Sequence, residues 1–249
     1  MMSFTKSLIV GIHNGYELLR FSLPPLNIVP VDELFVVLDR VNNVDKYKRI
    51  IHNYVPRAKI LEKNFAVRKF RPNETFQYGF DHAHGDLLYV SAEDIILDPA
   101  EFSDSYWQNP AVGMVDFRYS QRDPFKFSFH VAWDEFLLKV SDGFFHYGTV
   151  RSGMYGVRRE LLEKIGGLKD SPTEEDWLRK DVMAAGHRCV HVKTTRNFHL
   201  RPVFDKQRQI MQGRSRKEQG FSFARVMLHS LLHLKPYVLE GYVRARSES

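Results

Sequence analysis

Cysteine is almost missing from this 249-residue chain: Cys189 stands alone, which excludes an internal disulfide framework and fits a reducing compartment. Long apolar runs are missing as well. No stretch approaches the roughly 20 apolar residues that a membrane-spanning helix needs. The N-terminus, Met1-Met2-Ser3-Phe4-Thr5-Lys6, enters a strand-like run without an apolar leader, so a cytoplasmic location is expected. Internal repeats and low-complexity tracts are also lacking. What is present is an ordinary globular composition, 43% hydrophobic and 27% charged. The length suits one large α/β domain or two small ones.

Charge is scarce over most of the chain in the net sense. Residues 1–200 balance to zero, and the whole surplus of +6 lies between Arg201 and Ser249, where ten Lys/Arg face four Asp/Glu. A neutral main portion argues against a nucleic-acid-binding core. The expected organisation is one domain over 1–200 and a basic, partly helical extension over 201–249. In that extension Phe223, Val226, Met227, Leu231 and Leu234 recur at helical spacing, with Arg225, His229, His233 and Lys235 interleaved and Pro236 interrupting. Such a segment either packs on its own domain or lies on a membrane surface, and periodicity alone does not separate the two.

The first hundred residues alternate. Ser7 to Ile12 is β-rich and ends at the turn signal His13-Asn14-Gly15; Tyr16 to Leu23 reads as a short helix stopped by Pro24-Pro25. A strand over Leu34–Leu38 ends at Asp39-Arg40, a helix follows over Lys46–Tyr54, and Ala58–Leu61 is a third strand. Asn73 is expected to open a helix that Gly85 stops, and the buried strand from Leu87 follows. Strict alternation predicts a parallel, doubly wound sheet flanked by helices. Further on, Phe102–Gln108 reads as helical and Val112–Val150 is aromatic-rich without a readable pattern. Arg158–Ile165 is a helix ended by Gly166-Gly167, Glu174–Ala185 is another, and Arg188–Val192 is a strand.

The strand Leu87-Leu88-Tyr89-Val90-Ser91-Ala92 ends in two acids, Glu93 and Asp94. In open α/β sheets, ligands bind beyond the carboxyl ends of the strands. Hard carboxylate oxygens there suit Mg²⁺ or Mn²⁺, whose octahedral shell phosphate oxygens complete.

The order of these motifs resembles the GT-A fold glycosyltransferases of family 2, inverting nucleotide-sugar transferases, over about residues 7–200. The resemblance implies a GT-A, Rossmann-like, mostly parallel sheet. It also implies metal-dependent transfer of a sugar from a UDP- or GDP-linked donor to an acceptor hydroxyl; the expected acceptor is a glycan or, if the tail helix touches a membrane, a lipid-linked molecule. It assigns the first strand's loop, Gly11-Ile12-His13-Asn14, and Asp39 to the nucleoside. Ala92-Glu93-Asp94 matches the D-x-D motif without its first acid; Asp94 falls on the metal-holding position and Glu93 between. His199, in Arg196-Asn197-Phe198-His199-Leu200, falls where many such enzymes have a histidine metal ligand. Glu174-Glu175-Asp176-Trp177-Leu178 resembles the E-D-x-x-L signature, whose Asp is the general base. Aligning the Glu-Asp pair selects Asp176, and counting back from Gly186 selects Glu175. Arg68, Lys69 and Arg71 either face the diphosphate or form a solvated basic loop. Trp107, Trp133 and Trp177 either stack on sugars or fill the core. The Q-x-x-R-W of processive relatives has no match near Gln207 or Gln212, so no polymerising synthase is assigned. Two other readings stay open: a sugar nucleotidyltransferase, though His13-Asn14-Gly15-Tyr16 is unlike its Gly- and Arg-rich loop, and a non-catalytic glycan- or nucleotide-binding protein.

Overall fold

The computed structural model describes residues 3–121, 129, 132–133, 136–137, 152–171, 174–200 and 206–247. The chain divides into two compact units, Met1–Ser120 with Val150–His199, and Gln121–Thr149 with Leu200–Ser249.

The first unit is built on a sheet of order β3-β2-β1-β4-β7-β6-β8-β5. Its strands are β1 (Lys6–Ile12), β2 (Glu33–Asp39), β3 (Lys59–Lys63), β4 (Leu87–Ala92), β5 (Ile95–Ile96), β6 (Val112–Gln121), β7 (Ser152–Arg158) and β8 (Arg188–His199). β1 pairs in parallel with β2 on one side and β4 on the other, and β2 with β3. The chain therefore winds outward from β1 to β3 and returns to the opposite side of β1. In open α/β sheets the ligand crevice lies at such a reversal, here between the carboxyl ends of β1 and β4. β4–β7, β6–β7 and β5–β8 are antiparallel.

Strand alternation explains the two apolar layers. Leu8, Val10 and Ile12 face one layer with Leu34, Val36 and Leu38, while Ile9, Phe35 and Val37 face the other with Phe76 and Phe80. α1 (Tyr16–Ser22) and α2 (Val44–Tyr54) cover the first face. α3 (Arg71–His82), α4 (Arg159–Lys164) and α5 (Glu174–Ala184) supply Phe76, Leu161, Leu178 and Val182 to the second.

Several local expectations are corrected. Asn73 does not open α3. The helix starts at Arg71 with Pro72 in its first turn, and the Asn73 amide donates instead to the carbonyls of Lys169 and, at 2.8 Å, Ser171. Gly85 is not the stop; its N–H donates to Ser7 Oγ at 2.8 Å, joining the segment to β1. The first helix does stop at Pro24-Pro25, with Leu23 as its C-cap, and the two prolines then open a 3-10 turn, Pro24–Ile28, because proline suits a first helical turn. Phe102–Gln108 becomes part of two 3-10 turns, Pro99–Phe102 and Asp104–Trp107, capped by Asp98 and Ser103 side chains. β6 emerges from the stretch left unassigned, and β8 runs seven residues past Val192 to His199.

The second unit contains α6 (Lys206–Glu218), α7 (Phe223–Leu232) and α8 (Pro236–Ser247). The expected amphipathic segment is thus two helices, separated where Leu234 takes a positive φ of 51° ahead of Pro236. α6 and α8 pack backbone to backbone. A Cβ on Gly213 would lie 2.0 Å from the Val238 carbonyl oxygen, and one on Gly241 2.1 Å from that of Ile210. A small core of Val226, Val238 and Tyr242 joins α7 to α8, and Tyr242 Oη donates to the Phe221 carbonyl at 2.5 Å.

Candidate functional site

The crevice at the β1/β4 reversal is lined by main chain held in place by one carboxylate. Glu93 accepts from the backbone N–H groups of His13 and, at 3.3 Å, Asn14, and its own N–H donates to the Gly11 carbonyl at 3.1 Å. Ser22 Oγ donates to the Glu93 carbonyl at 2.6 Å. The loop after Ile12 is therefore fixed by the middle residue of the Ala92-Glu93-Asp94 motif. Glu93 is buried, as this bracing role requires.

Asp39, at the end of β2, is buried beneath a group of cations. It accepts from Arg40 Nε (2.9 Å), Lys63 Nζ (3.1 Å), Arg71 Nε (2.8 Å) and Thr75 Oγ1 (2.8 Å), and His13 Nδ1 lies 3.4 Å away. Burial opposes its ionisation, but these donors outweigh burial and hold its carboxyl well below the usual carboxylate range. Lys63 is itself fully buried and also meets Glu74 (2.6 Å) and the Phe65 carbonyl (2.6 Å). Glu74 accepts further from the N–H groups of Val67 and Arg68, and is likewise held below its ordinary value against the opposing effect of burial. What this edge offers a ligand is the partly exposed rim of His13, Arg40 and Arg71, with Asp39 as the anion that organises them. Arg40 takes a positive φ of 50°, so the chain turns sharply as it leaves β2.

Asp94 is buried, not turned out to solvent, and its Oδ2 lies 3.4 Å from His199 Nε2. Strand pairing makes this contact: β5 and β8 run antiparallel with Ile95 opposite His199, one residue after Asp94. Tyr119 of β6 stacks on the His199 ring at 4.9 Å and fixes its plane. An acid oxygen and an imidazole nitrogen side by side fit Mn²⁺ or Mg²⁺ as donors, Mn²⁺ better because imidazole is the softer ligand. Among the described residues no group of three or more His, Cys, Asp or Glu is placed to hold a metal ion. A cation here would thus rely on ligand oxygens for its remaining positions, as diphosphate-bound cations do.

Asp176 belongs to a further cluster. It pairs with Arg179 one turn on (3.1 Å), Arg179 pairs with the buried Asp116 of β6 (3.0 Å), and His191 of β8 hydrogen-bonds the other Asp116 oxygen. Asp116, Asp176 and Glu175 all raise the Arg179 pKa against burial, which lowers it. Burial pushes the neighbouring Cys189 thiol up to about 11, leaving it protonated and inert at neutral pH.

The strap ahead of α5 is tied to the start of α3. Arg68 Nη1 donates to the Leu168 carbonyl (2.6 Å), Asp170 accepts from the N–H groups of Lys69 and Phe70 (both 2.8 Å), and Asn73 holds Lys169 and Ser171. Gly166 and Gly167 start that strap at φ 83° and 81°, which only glycine adopts without strain. Arg68 is engaged on the strap, Arg71 on Asp39. Trp107 is core, donating to Tyr89 Oη at 2.8 Å, whereas Trp177 lies under the ammonium groups of Lys169 and Lys180.

The sequence reading missed Lys63, Glu74, Thr75, Asp116, Arg179, His191 and Tyr119. Only Glu74 and Thr75 carried a local signal, adjacency to Asn73.

No family model matches the chain, and no curated protein matches it. Solved structures do. The mannosyltransferase PcManGT from Pyrobaculum calidifontis, in complex with GDP-Man and Mn²⁺, is similar over 99% of this chain and 75% of its own, with a TM-score of 0.67 at 15% identity. The fold is GT-A. Glucosyl-3-phosphoglycerate synthase from Mycobacterium tuberculosis, in complex with Mg²⁺ and UDP, covers 80% of this chain and 73% of its own with a TM-score of 0.55 at 17% identity. TarS of S. aureus is similar over 84% of this chain but only 39% of its own, with a TM-score of 0.57 at 11% identity. Likeness at this level of identity establishes architecture and leaves the chemistry to the residues.

Proposed function

We propose that the protein is a glycosyltransferase that moves a sugar from a nucleoside-diphosphate sugar, UDP- or GDP-linked, to an acceptor hydroxyl with inversion at the anomeric carbon. The buried Asp94–His199 pair at the crevice of a GT-A sheet carries this reading. The donor class is supported by the similar structures that hold GDP-Man with Mn²⁺ or UDP with Mg²⁺.

In this reading the loop Gly11-Ile12-His13-Asn14, braced by Glu93, cups the nucleobase, and Asp39 orients His13, Arg40 and Arg71 toward the nucleoside and its phosphates. Asp94 and His199 would hold the Mn²⁺ or Mg²⁺, which when bound offsets charge on the departing diphosphate. Asp176 takes the proton from the acceptor hydroxyl as it attacks, and Arg179 fixes that carboxylate's position. Glu175 is the alternative base. The glycine-bearing strap, fixed to α3, brings acceptor and donor together, and proximity of the two supplies much of the remaining rate.

A panel of nucleotide sugars with Mn²⁺ or Mg²⁺, read by released diphosphate, tests this directly. Asp176→Asn is expected to lower kcat about a hundredfold or more. Full turnover in Asp176→Asn with an inactive Glu175→Gln would move the base to Glu175. Ala92, in place of the first D-x-D acid, and the Asp176–Arg179 ion pair favour a second reading, a GT-A-like protein that binds nucleotide or glycan without turnover. Nucleotide binding with no turnover on any donor would select it.

A further inference from the structure

α7 is built the wrong way round for a helix in water. It buries Val226 and Ser230 and shows its large side chains outward: Leu231 is 64% exposed, and Phe223, Met227, Leu228 and Leu232 are exposed beside it at helical spacing. The patch extends beyond the helix. Trp133 Nε1 donates to the Leu232 carbonyl at 2.9 Å, and Phe129 and Phe136, both exposed, lie against the Trp133 ring with centroids 6.5 and 5.7 Å away. Eleven of the sixteen large apolar side chains exposed among the described residues belong to this second unit. Isolated exposed leucines need no explanation, but a contiguous patch of this kind marks an interaction surface.

The charge beside it says with what. Residues 201–249 hold the chain's entire positive surplus, including the exposed Arg225 on α7 itself and Arg216, whose guanidinium lies 2.9 Å from His229 Nδ1. A second copy would bring this surface against the same cations, since a two-fold interface pairs like with like. An anionic lipid surface complements both features, taking the apolar side chains into the acyl boundary and the cations among the headgroups. Among the described residues no helix is long and apolar enough to cross a membrane, so α7 would lie in the interfacial plane.

We propose that the α7 face, with Phe129, Trp133 and Phe136, docks this protein onto an anionic bilayer. The proposal is independent of sugar transfer and is read by partitioning, not turnover. The experiment floats the full chain with phosphatidylcholine vesicles and with vesicles that also contain phosphatidylserine. It includes a Leu228→Gln/Leu231→Gln variant, whose two sites are exposed and whose melting curve checks the fold. The expected result is capture by the mixed vesicles, weaker by about tenfold or more on phosphatidylcholine alone and in the variant. Absence of capture, equal capture of the variant, or equal capture by both vesicle types would overturn the proposal. So would a dimer that the double substitution dissolves, which would make a second copy the occupant.

Discussion

The two units depart from the usual partition of polar and apolar groups in opposite directions. In the first, apolar side chains are covered by helices on both faces of the sheet, and charge is taken inside: Lys63, Asp39, Glu74, Glu93, Asp94 and Asp116 are all buried. In the second, the one apolar cluster among the described residues has three buried members, while leucine, methionine and phenylalanine face outward and Gln209, Ser215, Ser230 and Lys235 are buried. Buried charges are costly unless paired and hydrogen-bonded, and those at the ends of β2, β3 and β4 lie where we propose the ionic ligand binds. The exposed hydrocarbon of the second unit is where we propose a bilayer docks. One chain thus carries two surfaces suited to different chemistries.

The largest expected effect breaks the buried charge of the first unit. Lys63→Met leaves Asp39 and Glu74 without their shared cation and should cost about 3–5 kcal/mol in equilibrium denaturation. An unchanged midpoint would mean that the network is not closed in solution. A smaller effect belongs to the second unit. Gly213→Ala puts a Cβ into the Val238 carbonyl and should destabilise the α6–α8 packing by roughly 1–3 kcal/mol. Hydrogen exchange would register this as faster exchange across 206–247 with the β1–β4 amides unaltered; uniform acceleration would show that the units do not open separately.

The smallest effect is a pH dependence far from the crevice. Burial raises the Glu33 pKa, but hydrogen bonds from the His84 N–H, Ser7 and Lys59 outweigh it and hold the group at about 2. A depressed folded-state pKa gives stability that is complete above the unfolded value of about 4.3 and is lost as pH falls toward 2. Glu33→Gln should flatten the acid limb of the stability curve in that window and leave the neutral limb's slope unchanged.

Local pattern revealed what depends on local pattern. β-rich runs bounded by His13-Asn14-Gly15, Asp39-Arg40 and Glu93-Asp94 gave the parallel half of the sheet and the strand ends that form the crevice. The Asn73 expectation failed because a long-range amide contact to Lys169 and Ser171 outcompeted capping. The Asp116–His191 contact, spanning 75 positions in sequence, exists only because β6 and β8 are neighbours in the sheet. Lys63 lies beyond the expected third strand, Ala58–Leu61, and nothing near it in sequence announces two carboxylates brought from β2 and α3. Nor does sequence show that Glu93 spends its carboxylate on main-chain N–H groups, because those donors have no residue identity. The outward face of α7 escaped for a related reason: helical periodicity locates an apolar stripe but not the direction in which it points.

Isothermal titration of UDP and GDP, with and without Mn²⁺, on the native chain and on Asp94→Asn tests the central claim most directly. Binding of one nucleotide that tightens with Mn²⁺, and that loses its response to the metal in Asp94→Asn, is the predicted result. Failure to bind either nucleotide, or binding that ignores the metal in both proteins, would contradict it.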